Sequence, residues 1–198
     1  MDRVRVGMIG AGRMANAVHY PSLSEIGEAS IAAVCDLDAE RLKETSDRYG
    51  VGERFMDYTL MLDKVDLDAV YVIMAPHLLI DLVLHCLGRG KHVFIEKPPG
   101  ISLEQTRRMA EEARRNRCMA MVGFNRRYIP VAREAKRVVE ERGPIIQCTA
   151  TFHKNMLGRP LDWGLVDYLT SDVIHALDAL RWMGGEFKGV SSVVARFY

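Results

Sequence analysis

Short runs of consecutive apolar residues, "VRVGMIG", "SIAAVC", "AVYVIM", "HVFI" and "MAMVGF", are separated by longer amphipathic stretches such as "DAERLKETSDRYG", "HLLIDLVLHCLGRG" and "SLEQTRRMAEEARRN". A strand apolar on both faces belongs inside a parallel sheet, and helix-length connections are what parallel strands need. The pattern therefore predicts a doubly wound α/β domain with helices on both faces. Local signals agree. Ser102 stands as an N-cap before an acidic first turn, and Gly50 and Gly90 stand where helices should stop. After Gly123 the pattern changes to a helix from near Pro130, the strand-like "IIQCTATFH", an apolar helix around "DVIHALDALRWMGG" and the strand-like "GVSSVVARFY". At 198 residues the chain has room for one full domain and part of another, so the expected division is 1–124 and 125–198. The second part reads as an incomplete α+β domain whose last strand would leave an open edge, and a homo-oligomer is expected on that ground.

The formal net charge of +1 gives no overall field to draw in nucleic acid or an anionic membrane. Two Arg-rich stretches, "EEARRNR" and "REAKRVVEER", interleave glutamates at helical spacing and read as solvated helix faces. No apolar run is long enough to span a bilayer, and "MDRVRVGMIG" lacks the long apolar region and cleavage site of a signal peptide. Cys35, Cys86, Cys118 and Cys148 are widely spaced, without a C-x-x-C pair, which fits reduced, packed thiols. A cytoplasmic protein is expected, with no nucleic acid and no membrane among its partners.

The first motif with chemistry in it is "GAGRMA", between the strand "VRVGMI" and a helix. Gly10, Gly12 and Ala15 follow the G-x-G-x-x-G/A pattern: the glycines allow a tight turn and let a pyrophosphate approach the backbone, at a helix N-terminus with free N–H groups. Arg13 and Met14 belong to the same cofactor-binding turn. The next strand ends at Asp36, 21 residues after Ala15, where an acidic residue binds the adenosine ribose hydroxyls. A carboxylate there repels a 2′-phosphate, which favours NAD, while Arg41 keeps NADP open if its side chain folds back. Ligands of such sheets lie beyond the carboxyl ends of the strands. Lys97 follows "HVFI" and so points toward the cofactor, with Pro98 and Pro99 restricting its backbone and an X-Pro bond available to the cis form. Glu96 suits a bond that holds the loop as well as a cofactor contact. Ala75, Pro76 and His77 end the preceding strand over the same crevice, and Asn125 ends the last one, where it can donate to a carboxamide or a sugar hydroxyl.

These residues together resemble the glucose-fructose oxidoreductase and inositol dehydrogenase family of nicotinamide-dependent enzymes. The resemblance rests on "GAGRMA", on Cys35 and Asp36, and on "GKHVFIEKPPG", "GFNRRYIP" and "SDVIHALDALRW", in that order along nearly the whole chain. It implies an N-terminal Rossmann domain, a C-terminal α+β domain on a large open sheet, and sugar, polyol or related hydroxy substrates. By the same resemblance Lys97 lies beside the nicotinamide and the reacting hydroxyl, and His175 transfers the proton. Family members place Asp four residues before that His. This chain has Asp172 three residues before it and Ser171 at the usual place, with Asp178 as a competing partner. Either spacing keeps Asp and His on one helix face. Family members are also substantially longer, so a fragment, a truncated product or a reduced natural variant is expected. Arg126 and Arg127 could bind substrate oxygens or form salt bridges, and His153, Lys154, Asn155 and Trp163 are candidates for lining a sugar pocket. The function implied is hydride transfer between a secondary alcohol and NAD(P), needing no metal, with His175 taking the hydroxyl proton, Lys97 steadying the same oxygen and Asp172 orienting the imidazole. The alternatives are a non-catalytic dinucleotide-binding regulator and an inactive cofactor-binding fragment.

Overall fold

The computed structural model describes residues 3–154 and 166–193. They divide into two compact units, the first running to Gly123 and including Val166, the second running from Phe124 and resuming at Asp167. The first unit is a six-stranded sheet made of β1 (Val4–Ile9), β2 (Ala29–Cys35), β3 (Arg54–Phe55), β4 (Ala69–Val72), β5 (His92–Ile95) and β6 (Ala120–Val122). Its order is β3-β2-β1-β4-β5-β6 and every pair is parallel, with Val4 opposite Ala29, Val6 opposite Ala69, Ala69 opposite His92 and Val93 opposite Ala120. The chain winds outward in one direction from β1 to β3 and in the other from β4 to β6. The reversal leaves a crevice at the carboxyl ends of β1 and β4, the place where doubly wound sheets bind ligands.

Period-two alternation sends successive side chains of each strand into different cores. Ile9, Ala33, Cys35, Val70, Val72, Val93 and Ile95 join one cluster with Met61, Leu79, Val83, Cys86, Leu87 and Met109. These partners come from α3 (Tyr58–Lys64), α4 (Leu79–Gly88) and α5 (Leu103–Arg115). Val6, Met8, Val34 and Ile73 join the other, with Tyr20 and Leu23 of α1 (Tyr20–Ser24) and Leu42 of α2 (Ala39–Tyr49). Helices on both faces are the reason the strands are apolar throughout. The caps form as the sequence predicts. Ser102 Oγ accepts from Gln105 N at 3.2 Å at the start of α5, and Gly50 closes α2 in the left-handed region at φ 66°.

The second unit holds α6 (Pro130–Glu140) and α7 (Ile174–Gly184), the latter entered through a π-type turn, Leu169–Val173. On α6, Lys136 pairs with Glu140, and Arg137 pairs with Glu134 and Glu141, so these two basic residues are matched by the interleaved acids. The strand expected over "IIQCTATFH" does not form: residues 144–154 are without regular structure. A strand exists only through its ladder, and among the described residues no neighbour pairs with this segment. The same correction applies to "GVSSVVARFY" over residues 189–193, and residues 194–198 lie outside the described residues.

One buried group in α2 is poorly served. Ser46 is fully buried, and its hydroxyl has no hydrogen-bond partner among the described residues. Removing such a group relieves a desolvation penalty of about 1 kcal/mol. Ser46→Ala should therefore raise the thermal midpoint, by about 2–4 °C for a chain of this size, measured by calorimetry.

Candidate functional site

The turn after β1 is held from several sides. Gly10 N donates to the Cys35 carbonyl at 2.8 Å, and the Tyr20 hydroxyl donates to the Gly10 carbonyl at 3.3 Å. Gly10 has φ 105°, and a Cβ there would lie 2.4 Å from the Ile73 carbonyl oxygen on the far side of the crevice. Only glycine fits. Gly12 differs: a Cβ there would meet nothing within 4 Å, so the space over its backbone is open. Residues 13 and 14 are already helical and exposed, and Ala15–His19 continues as a π-type turn into α1. The first N–H groups of a helix have no intrahelical acceptor and face the open space with the positive end of the peptide dipoles. A diphosphate fits this cradle.

Asp36 is buried at the end of β2. Its Oδ2 accepts from Ala11 N at 2.7 Å, and its Oδ1 accepts from Asp38 N at 2.8 Å and from the Arg41 guanidinium at 3.0 Å. A carboxylate has about four acceptor positions, so protein donors occupy most of them. Arg41 has folded back, as the sequence reading allowed: it also reaches Asp38 at 3.2 Å, and the Asp36 hydrogen bond pushes its pKa up. Cys35, beside Asp36, has its thiol raised to about 12, first by burial and then by the neighbouring carboxylate.

At the end of β4, Ala75 caps a 3-10 turn, Pro76–Leu78, that carries Pro76 and half-buried His77. At the end of β5, Glu96 and Lys97 are both half-buried, Pro98 is buried, and the Lys97–Pro98 bond is cis. Glu96 Oε1 lies 2.8 Å from His19 Nε2, and Oε2 accepts from Lys97 N at 3.1 Å. Burial works to raise the Glu96 pKa, but the His19 hydrogen bond and charge, then the Lys97 N–H and ammonium, outweigh it and the net shift is downward. His19 is the participant the sequence reading missed. It sits four residues beyond Ala15, one turn along the same helix, and nothing in "ANAVHY" shows which strand end it reaches. Asn16 was missed too: its amide donates to the Ala11 carbonyl at 2.8 Å and to Thr45 Oγ1 at 3.0 Å, which fastens the turn to α2.

In the second unit, Asn125 opens an exposed 3-10 turn, Asn125–Tyr128. Arg127 makes a two-pronged pair with buried Asp178, Nε donating to Oδ2 at 2.8 Å and the second prong to Oδ1. Asp178 is therefore engaged by Arg127, while Arg126 lies over the Phe152 ring at 5.2 Å. Asp172 belongs to the π-type turn and is buried, whereas His175 falls in the first turn of α7, half-buried and edge-on to Phe124 at 6.5 Å. The Lys154 ammonium donates to Asp172 Oδ1, and the Ser171 hydroxyl donates to Oδ2 at 3.2 Å. Lys154 thus reaches the Asp172 carboxylate, while His153 is exposed and Asn155 and Trp163 lie outside the described residues. Among the described residues no group of three or more His, Cys, Asp or Glu is placed to hold a metal ion, and no helix is long and apolar enough to cross a membrane.

A parallel sheet of this order, with an open glycine turn at its switch point and an acid at the end of β2, defines a dinucleotide-binding domain. Residues 4–124 match the model of the GFO/IDH/MocA group, described as an oxidoreductase family with an NAD-binding Rossmann fold, and the chain belongs to that family. Among curated relatives, it is 30% identical to the myo-inositol 2-dehydrogenase of Thermotoga maritima over 92% of this chain and 55% of that protein. It is 32% identical to inositol 2-dehydrogenase 3 of Saccharopolyspora erythraea over 91% of this chain and 53% of that one. A 3-ketoreductase of Actinomadura kijaniata, solved with NADP, superposes with a TM-score of 0.66 at 28% identity, covering 71% of this chain and 44% of that one. The chain spans about half the length of the curated relatives it matches.

The two glycines of the turn answer to different demands. Gly10→Ala drives a Cβ into a backbone carbonyl at positive φ and should destabilise the first unit by about 3 kcal/mol, read in urea unfolding. Gly12→Ala should leave the unfolding midpoint nearly unchanged and weaken NAD binding about tenfold or more in titration calorimetry, because its Cβ enters only the space a diphosphate needs.

Proposed function

We propose that the protein is an NAD(P)-dependent dehydrogenase acting on a secondary alcohol of a polyol, sugar or related hydroxy compound. The observation that carries the reading is the placement of Gly12 and Lys97 beyond the carboxyl ends of two strands of one sheet, the first at open backbone after β1 and the second after β5. Residues at these strand ends face a dinucleotide in doubly wound folds, and the relatives named inositol dehydrogenases support the substrate class. Bound nicotinamide supplies the hydride acceptor. His175 takes the hydroxyl proton as the carbinol hydrogen leaves as hydride, so that a ketone forms and charge stays balanced. Lys97 donates to the same oxygen and offsets its developing negative charge. Asp172, joined by Lys154, orients the imidazole. Gly10, Gly12, Arg13, Met14, Ala15, Asp36, Ala75, Pro76, His77, Glu96 and Asn125 line the cofactor. Free cysteines at all four positions support a reducing compartment, the cytoplasm.

The direct test mixes the purified chain with NAD and myo-inositol, scyllo-inositol and a panel of sugars and follows reduced nicotinamide by absorbance. NAD binding without reduction on any of them would turn the reading toward a dinucleotide-binding regulator. Given turnover, Lys97→Met should lower kcat by roughly 100- to 1000-fold with little change in NAD affinity. Retention of kcat within about threefold would refute Lys97 as a donor to the reacting oxygen.

Cofactor choice follows from Asp36 and Arg41. The buried carboxylate should make NAD bind more tightly than NADP, and Arg41→Ala, which uncovers that charge, should widen the difference, both read by calorimetry. Equal binding of NADP by the parent chain would mean that Arg41 governs the site.

A further inference from the structure

We infer that His19 is a positioning residue for Lys97: through Glu96 it fixes the loop after β5 to the helix that follows the glycine turn. The inference rests on the assignment of Lys97 to the reacting oxygen.

The geometry has three links. His19 ends the π-type turn that begins at Ala15, so its backbone is tied to the diphosphate cradle. Its side chain, 8% exposed, lies against Phe94 of β5 at 5.3 Å and Tyr71 of β4 at 5.9 Å, and those two rings are themselves stacked at 4.4 Å. The imidazole is thus packed in one place, with Nε2 directed at Glu96 Oε1, 2.8 Å away. The second Glu96 oxygen then accepts the Lys97 N–H at 3.1 Å. A carboxylate bonded at both oxygens, 19% exposed, has little freedom to turn. The residue carrying the ammonium is therefore anchored through its own backbone.

The surroundings leave Glu96 poorly supported without His19. A Cβ on Gly123, at the end of β6, would come within 3.3 Å of Glu96 Oε1, so the carboxylate packs closely on that side as well. Loss of the imidazole donor leaves a half-buried carboxylate oxygen short of a partner, and the group reorients toward water. Its other oxygen then releases the Lys97 N–H. A misplacement of about 1 Å at a catalytic group can cost roughly 100-fold in rate.

Two replacements separate positioning from packing. His19→Phe keeps a ring against Tyr71 and Phe94 but donates nothing, whereas His19→Gln places an amide N–H near the position of Nε2. With NAD and myo-inositol, His19→Phe should lower kcat at least about tenfold with KM for NAD changed less than about threefold, within the small change expected when an interaction made only in the transition state is lost. His19→Gln should recover most of the loss. In a Lys97→Met background the same His19→Phe change should cost almost nothing further, because its effect passes through the ammonium. A loss that persists in that background, or a His19→Gln variant as impaired as His19→Phe, overturns the inference. A Lys97→Met variant with undiminished turnover refutes the assignment of Lys97 instead.

A second measurement needs no turnover. Competitive acetylation of the cofactor-free chain, read by mass spectrometry, compares Lys97 with exposed Lys43. The ratio should rise at least about threefold in His19→Phe and return in His19→Gln, as expected when a backbone anchor is released. A ratio unchanged by His19→Phe refutes the anchor.

Discussion

The crevice edge of the first unit depends on the approach of Gly10 to the Ile73 carbonyl. β1 and β4 are neighbours in the sheet, and the chain leaves them in opposite directions, so their ends must nearly touch before they part. A hypothetical Cβ 2.4 Å from a carbonyl oxygen measures how little room remains. With the turn locked there, Gly12 is left facing open space and the helix after it begins at once. The Ala11 N–H, turned toward β2, is caught by Asp36. One close contact thus sets the positions of the open glycine turn and of the acid beside it.

Polar groups around that contact are bonded mainly to one another. Asn16 joins the turn to Thr45 of α2, Asp36 joins it to Arg41, and His19 joins it to Glu96 at the far strand end. The first and third span elements distant in sequence, and each of the three is at least partly shielded from water, where a missing partner is costly. The strands supply the rigid frame and these bonds set the positions of groups on the irregular segments between them. The π-type turns follow a related logic. One carries His19 and the other carries Asp172, and such turns shift the register of side chains within a helix.

In the second unit the acids of α7 and its entry turn have separate partners. Asp178 is held by Arg127, and Asp172 by Lys154 and Ser171. The three-residue separation of Asp172 from His175 spans the junction between the π-type turn and the α-helix, a geometry that spacing along an ideal helix does not describe.

Much of this was legible along the chain. Apolar runs separated by helix-length stretches determine a parallel sheet covered on both faces, because period-two strands without a polar face have no other place to go. The motif from Gly10 to Ala15, the acid at Asp36, the caps at Ser102 and Gly50, and Lys97 at a strand end are local features, and local sequence carried them. The missing strand at "IIQCTATFH" marks the limit: its β pattern was real, but a ladder needs a neighbour and propensity does not supply one. Only the tertiary structure decided that His19 meets Glu96, that Arg41 lies on Asp36, that Asp178 belongs to Arg127 and that Lys154 reaches Asp172. These pairs join residues from 5 to 77 positions apart. For His19 and Glu96, the most distant pair, the register and order of the strands, which no single segment encodes, bring the two side chains together.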